Sequence, residues 1–314
     1  MGSQSQKKKI KSRLVLNIIA VFIILPLLLE LTVKAGILVF SPNSQLIDVY
    51  AESELIKSDF VEFLNVGQAD CTIIKSGESA AVIDFGVEED GEKIYKTLLK
   101  YGIKSIDYAV ITHHHSDHMG GFLRVAEKIK VKNLIINNST AKDGEVELYK
   151  RIIALAKREM IKIHLPVAGE SFNIGKSVLE ILSCNALAAE ENNRSIVTML
   201  TISGKNLLFT GDADGETERL ITKNCNIKCD ILKMGHHGSN TASDAKFLKT
   251  AAPEIAVASC GYDNSYNHPS KGAVLRVKEQ GIRLYRTDLD RGIRCVFGLE
   301  NESYDIIVGR GDNK

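Results

Sequence analysis

Apolar and polar positions divide the chain into three stretches. Leu14–Leu29 is apolar apart from Asn17 and contains Pro26, whereas residues 36–58 are mixed and polar, with Ser41-Pro42-Asn43-Ser44 among them. Beyond Asp59, short apolar or alternating runs predict strands over Phe60–Leu64, Cys71–Lys75 and Ala80–Asp84, and three-and-four spacing predicts a helix over Glu92–Lys100. Strands Tyr108–Thr112, Asn133–Ile136 and Ile161–Leu165 follow, separated by helices Phe122–Lys130 and Val146–Glu159. The theme then repeats: strands Val178–Leu182, Ile196–Ile202 and Asn206–Thr210, helix Glu216–Ile221, strand Ile231–Met234, helix Ala245–Ala251 and strand Ile255–Ser259. Helix Ala273–Gln280 and strands near Arg283–Arg286, Arg294–Phe297 and Tyr304–Val308 end the pattern. Two β-then-α halves imply an α/β domain, residues 59–314, with two sheets sandwiched between helices.

The first stretch reads as a membrane-targeting segment. Lys7, Lys8, Lys9, Lys11 and Arg13 precede it, and extending it to Val33 gives about 20 residues, enough for one transmembrane helix. Val33-Lys34-Ala35 ahead of Gly36 also suits signal-peptide cleavage. The basic flank holds the N-terminus inside in both readings. Residues 1–35 are therefore expected to be a signal anchor or transmembrane segment and 36–58 a linker. The protein is expected to be single-pass in the cell membrane with an extracellular domain, or secreted after cleavage.

Composition refines this picture. With 44% hydrophobic and 25% charged residues the chain is able to bury a core. Residues 1–35 hold six of the 40 basic residues and one of the 39 acids, which leaves 34 and 38, or −4, for the remainder. That balance lacks the broad basic excess of a duplex-DNA binder. Of six cysteines only Cys225 and Cys229 are close in sequence. A bridge between them is one reading, and free thiols packed as small hydrophobes the other.

Seven of the eight histidines fall in three places. Thr112-His113-His114-His115-Ser116-Asp117-His118-Met119-Gly120-Gly121 lies between an apolar strand and a helix and matches H-x-H-x-D-H. Imidazole nitrogens with a carboxylate suit zinc and its neighbours, and this spacing can serve two adjacent ions. Asp212 ends one predicted strand, and His236 and His237 end another. Asp212 and Asp214 are also candidate caps for the helix that follows them. His164, at the end of an apolar run, reads as a satisfied, partly buried imidazole. His114 and Ser116 read as turned away from the metals or supporting their ligands.

On these residues the sequence resembles the metallo-β-lactamase superfamily, and more closely the extracellular domain of ComEC-type DNA-uptake (competence) proteins and their stand-alone relatives. Further segments carry the resemblance: Phe63-Leu64-Asn65-Val66-Gly67-Gln68-Ala69-Asp70, Val82-Ile83-Asp84-Phe85-Gly86, Asn193-Arg194-Ser195-Ile196-Val197 and Asn267-His268-Pro269-Ser270. It implies a four-layer αββα sandwich with a two-metal site at one edge. It implies that His113 and His115 bind one ion, that Asp117, His118 and His236 bind the other, with His237 as the alternative to His236, and that Asp212 bridges them. Asp84 is then an acid that orients ligand histidines. Two departures stand out: Ser195 where a third histidine for the first ion is expected, and Asn65 and Ala69 within a segment that usually reads D-V-G-Q-G-D. The first ion's site is accordingly weak or suited to manganese; otherwise zinc, one or two ions, is expected.

Two ions lower the pKa of a bound water and yield hydroxide for in-line attack. The resulting expectation is a membrane-anchored metal-dependent hydrolase acting as a phosphodiesterase or nuclease, on single-stranded DNA or a wall polymer. Asp117, His237 and His268 are its candidate catalytic residues, His268 as general acid and Ser239 as a nearby donor. Lys271 and Arg286 are candidate phosphate contacts. Rival readings are a hydrolase of lactones, thioesters or β-lactams, and a catalytically weak module that binds DNA or cell-surface polymers.

Overall fold

A meander of three short strands opens the described structure: β1 (Asp59–Phe63), β2 (Thr72–Ser76) and β3 (Ser79–Ile83), paired antiparallel. The computed structural model describes residues 58–139, 141, 144–299 and 303–309. The expected signal or transmembrane helix and its linker, up to residue 57, lie outside the described residues; among those described, no helix is long and apolar enough to cross a membrane.

Helix α1 (Gly91–Lys100) carries the chain to β4 (Ser105–Ile111), parallel to β3. Two short helices, α2 (Ser116–Met119) and α3 (Phe122–Ala126), then lead to β5 (Lys130–Ile136), and α4 (Val146–Arg158) leads to β6 (Lys162–His164). The helix expected over Phe122–Lys130 stops at Ala126 because Lys130 pairs with Ser105 and the segment joins the sheet. The second sheet begins with an unforeseen edge strand, β7 (Ser171–Ile174), followed by β8 (Ser177–Ser183), β9 (Val197–Ile202) and β10 (Lys205–Phe209). Helix α5 (Gly215–Asn224), β11 (Ile231–Lys233), α6 (Ala245–Ala251), β12 (Ile255–Ala258), α7 (Lys271–Glu279) and β13 (Arg283–Arg286) continue in parallel right to the sheet edge. After α8 (Thr287–Asp290), β14 (Ile293–Leu299) and β15 (Ser303–Val308) cross back to the first sheet, β14 pairing antiparallel with β1. The strand orders are β15-β14-β1-β2-β3-β4-β5-β6 and β13-β12-β11-β10-β9-β8-β7.

Side-chain alternation along the strands explains the layering. Phe60, Ile73, Val82 and Ile106 face α1, α3 and α4 through Ile94, Leu98, Val125 and Ile152. Their neighbours Val61, Phe63, Ile74 and Ile83 face the other sheet's Leu179, Leu200, Leu207 and Phe209. Leu208, Leu232 and Ala256 pack on the far side with Ile221, Phe247 and Val277 of α5, α6 and α7. Three apolar cores thus separate four layers, α, β, β and α. Buried Glu218 of α5 ties two of the outer helices together, accepting from Ser243 N at 2.5 Å and Asp244 N at 3.1 Å ahead of α6.

All six cysteines are free, so no Cys225–Cys229 bridge forms; Cys71, Cys229, Cys260 and Cys295 are buried.

Candidate metal centre

Parallel pairing places the C-terminal ends of β3 and β4 at one edge of the first sheet, and those of β10, β11 and β12 at one edge of the second. Short loops at these ends carry the polar residues. Asp84, just past β3, adopts φ +58° and turns its carboxylate under the next strand: Thr112 N donates to Oδ1 and Thr112 Oγ1 to Oδ2, both at 2.8 Å. Ile196 N donates to Thr112 O at 2.9 Å and joins the two edges. Gly211 is required before Asp212: its φ is +53°, and a Cβ there would lie 2.9 Å from Ser195 Cβ. Asp214, not Asp212, caps α5 by accepting from Glu216 N at 3.1 Å, which leaves the Asp212 carboxylate for the site.

Five side chains converge there. His118 Nδ1 lies 2.7 Å from Asp84 Oδ2, so it donates to that acid and directs Nε2 to Asp212 Oδ1, 3.3 Å away. His237 places Nδ1 at 3.0 Å from Ser259 O, and its Nε2 is 3.2 Å from Asp117 Oδ2 and 3.6 Å from Asp212 Oδ2. Asp212 therefore offers one oxygen to each histidine. His113 Nε2 is 3.0 Å from His115 Nδ1, and Thr112 and Ser195 hydroxyls sit 3.2 and 3.4 Å from His113 Nδ1. Two sets of potential ligand atoms result, His113–His118–Asp212 and Asp117–His118–His237, each with its members within 4.8 Å of one another.

A third set, Asp70–Asp212–His237, was not legible in the sequence as a site. Asp70 is buried with Oδ2 held by Lys233 Nζ at 2.7 Å and Oδ1 3.5 Å from His237 Nδ1. Lys233, itself buried on β11, also donates to Met234 O. No local pattern announces this pair, since 163 residues separate its members. The role of Gln68 is equally non-local. Its Oε1 accepts from Gly261 N at 3.1 Å, which leaves Nε2 to donate to His268 Nδ1 at 3.4 Å and Nε2–H of His268 free to donate.

Other expected residues lie differently. His236 lines the same cavity as Asp117, Asp212 and His237 but stands farther from the acids: its Nε2 is 3.9 Å from Asp212 Oδ2, and both ring nitrogens lie 3.3 Å from Asn192 Nδ2. The left-handed backbone of both histidines, φ +48° and +54°, turns His237 inward in its place. Ser239 pairs with Thr241 Oγ1 at 3.1 Å and with no group of the cluster. Ser195, at the expected third-histidine position, accepts from Asp212 N at 3.0 Å. His114 is buried against Ser139, Glu191 and Tyr149, and His164 lies on Glu170 and Phe172. Arg286 is committed to Asp288 by two contacts of 3.0 and 2.6 Å, while Ser270 caps α7 just after His268-Pro269.

Electrostatics follow from burial. Desolvation opposes charge on His118, yet Asp212, Asp84 and Asp117 outweigh it and raise its pKa well above the usual value. His237 is likewise raised to about 10, by Asp212 and Asp70 against burial. Burial disfavours the Asp117 carboxylate, but His118 and His237 bring it down to about 2, and the same rings hold Asp212 well below its ordinary value. Desolvation followed by His236 and His237 lowers His268 to about 4, a neutral donor at pH 7 rather than an imidazolium acid. The buried acids thus require positive charge, which protons on His118 and His237 supply in the metal-free chain. His118 Nε2 and Asp212 Oδ1, 3.3 Å apart, and Asp70 Oδ1, 3.5 Å from His237 Nδ1, are buried and make no hydrogen bond. Orphaned nitrogen and oxygen donors of this kind fit a divalent zinc, manganese or iron ion.

The family model for the metallo-beta-lactamase superfamily matches residues 64–262, more than half of the chain. The chain belongs to the metallo-beta-lactamase superfamily. Among curated proteins it is 31% identical over 242 residues to the competence protein ComA of Neisseria gonorrhoeae, covering 75% of this chain and 31% of that one. ComE operon protein 3 of Bacillus subtilis is 31% identical over 201 residues, 63% of this chain and 26% of that one. The chain therefore spans between about a quarter and a third of the length of these ComEC-type relatives. Among solved structures, CmlA, a diiron β-hydroxylase from Streptomyces venezuelae, superposes with a TM-score of 0.50 at 14% identity, over 77% of this chain and 54% of that one. At that identity the likeness establishes the superfamily fold alone.

Proposed function

We propose that this chain is a metal-dependent phosphodiesterase of the ComEC-like type, tethered through its N-terminal segment with the catalytic domain outside the cytoplasm. The observation that carries the hydrolase reading is the convergence of His113, His118, Asp212, Asp117 and His237 around buried donor atoms that lack partners. A bound divalent ion supplies Lewis acidity and activates water near neutral pH. His113, His118, Asp212, Asp117 and His237 would hold it, with His115 beside His113 and Asp70 behind His237. Asp84 accepts a hydrogen bond from the Nδ1–H of His118, and Ser259 O one from that of His237, so that both Nε2 atoms face the carboxylates. His268 donates from Nε2 to a non-bridging phosphoryl oxygen, with Gln68 fixing its tautomer. DNA strands and phosphodiester wall polymers are the substrate classes that fit an extracytoplasmic position.

Hydrolysis of bis(p-nitrophenyl) phosphate by the purified chain with zinc or manganese tests this reading. Activity abolished by chelation and reduced at least about 100-fold in Asp117→Ala is expected, since a removed ligand typically costs that much. Turnover only of lactones, thioesters or β-lactams would reassign the reaction. A metal-loaded chain that binds polymer, turns over nothing and binds equally well as Asp117→Ala would make it a binding module.

A further inference from the structure

The loop between β12 and α7 presents an aromatic ring to the mouth of the metal site. Tyr266 is 68% exposed and borders a cavity of about 310 Å³ whose other walls include Gln68, Asp117, Asp212, His237 and His268. Its ring lies 5.7 Å from that of His268 at an interplanar angle of 26°, and His268 in turn lies 6.3 Å from His237 at 23°. Tyr266, His268 and His237 thus form a chain of ring contacts that runs from solvent to the ligand cluster. One face of Tyr266 rests on His268, and most of the side chain remains open to solvent.

The loop that carries the ring is braced from within. Asn264 Nδ2 donates to Gly261 O and His268 O, while its Oδ1 accepts from His268 N at 3.0 Å and its backbone carbonyl accepts from Asn267 N. The backbone on either side of Tyr266 is thus fixed by hydrogen bonds while its ring stays largely exposed at the cavity. Among the described residues the cavity lining contains no lysine or arginine. The described lining thus offers an aromatic face rather than a row of cations to a group next to the scissile bond.

We propose that Tyr266 is the platform on which a nucleobase adjoining the scissile phosphodiester stacks, which makes it a specificity-determining residue of the site. This rests on the phosphodiesterase reading above. A flat ring is the group that parallel stacking rewards, and base–aromatic stacking changes affinity by roughly 5- to 150-fold when the aromatic is cut to alanine. Stacking needs only a π-face, so Tyr266→Phe retains it.

The experiment compares wild type, Tyr266→Phe and Tyr266→Ala, each metal-loaded, on the dinucleotide TpT and on the two analogues in which one thymine is replaced by hydrogen, with products read by chromatography. Wild type should lose about 5- to 150-fold in kcat/KM on one abasic analogue. Tyr266→Ala should cleave TpT at that lower level and the same analogue at the wild-type rate, and Tyr266→Phe should behave as wild type. A readout independent of turnover is calorimetric binding of thymidine 5′-monophosphate against deoxyribose 5-phosphate, whose affinity ratio should collapse toward unity in Tyr266→Ala alone. Equal slowing of all three substrates by Tyr266→Ala would overturn the proposal and make Tyr266 a prop for His268. Wild type that cleaves bis(p-nitrophenyl) phosphate without distinguishing TpT from its analogues would overturn the platform while sparing the phosphodiesterase. Wild type inert on every phosphodiester would remove both.

Discussion

Asp84→Asn isolates how the fold prepares one histidine for a metal. Asn tolerates the φ of +58° at this position, so the turn after β3 persists. Thr112 N donates to Oδ1, which forces the asparagine oxygen into that place and its nitrogen into the place of Oδ2. That nitrogen then faces His118 Nδ1, 2.7 Å away, and donates where Asp84 accepted. The ring must move its proton to Nε2, the atom that points at Asp212 and that would ligate the ion. Loss of such an orienting partner typically costs 10- to 100-fold in metal affinity, about 1.4–2.7 kcal/mol. Competition for zinc against a chromophoric chelator measures it, with metal-free melting curves as the control for folding. Wild-type zinc affinity in a variant that melts like wild type would refute the reasoning, because His118 would then bind no metal through Nε2 or need no help from Asp84.

Three further outcomes are expected. Lys233→Met should destabilise the chain by about 3–5 kcal/mol in urea unfolding, since it leaves Asp70 buried beside His237 without its 2.7 Å partner, and adding Asp70→Asn should restore much of the loss. Glu218 is pushed up to about 7 from 4.5, chiefly by burial. Because its folded pKa is the raised one, its stabilising contribution is complete below pH 4.5 and is lost as pH rises through 7, by about 3 kcal/mol, a slope that urea titrations at pH 5 and 8 should find weakened in Glu218→Gln. Zinc uptake at pH 7 should release on the order of two protons, one each from His118 and His237, and so bind more tightly as pH rises; calorimetry in buffers of different ionisation enthalpy reads that number directly.

What depends on neighbours along the chain was determined by the sequence alone. Strand and helix periodicity located nearly every element of the αββα body, because alternation and three-and-four spacing are consequences of local backbone geometry. The H-x-H-x-D-H loop declared itself for the same reason: one strand end and one short turn suffice to aim its side chains. Tertiary structure decided the rest. The return of β14 and β15 to the first sheet follows from pairing β14 with β1, a contact across more than 230 residues that no periodicity encodes. The inward place of His237 over His236 is set by two successive left-handed residues, and only the fold reveals that choice between adjacent, chemically identical side chains. Asp70 and Lys233 become a buried pair only when the loop before β2 meets the end of β11. Local patterning specifies which face of an element is apolar; which distant polar groups then share the space between two sheet edges is a property of the packed chain.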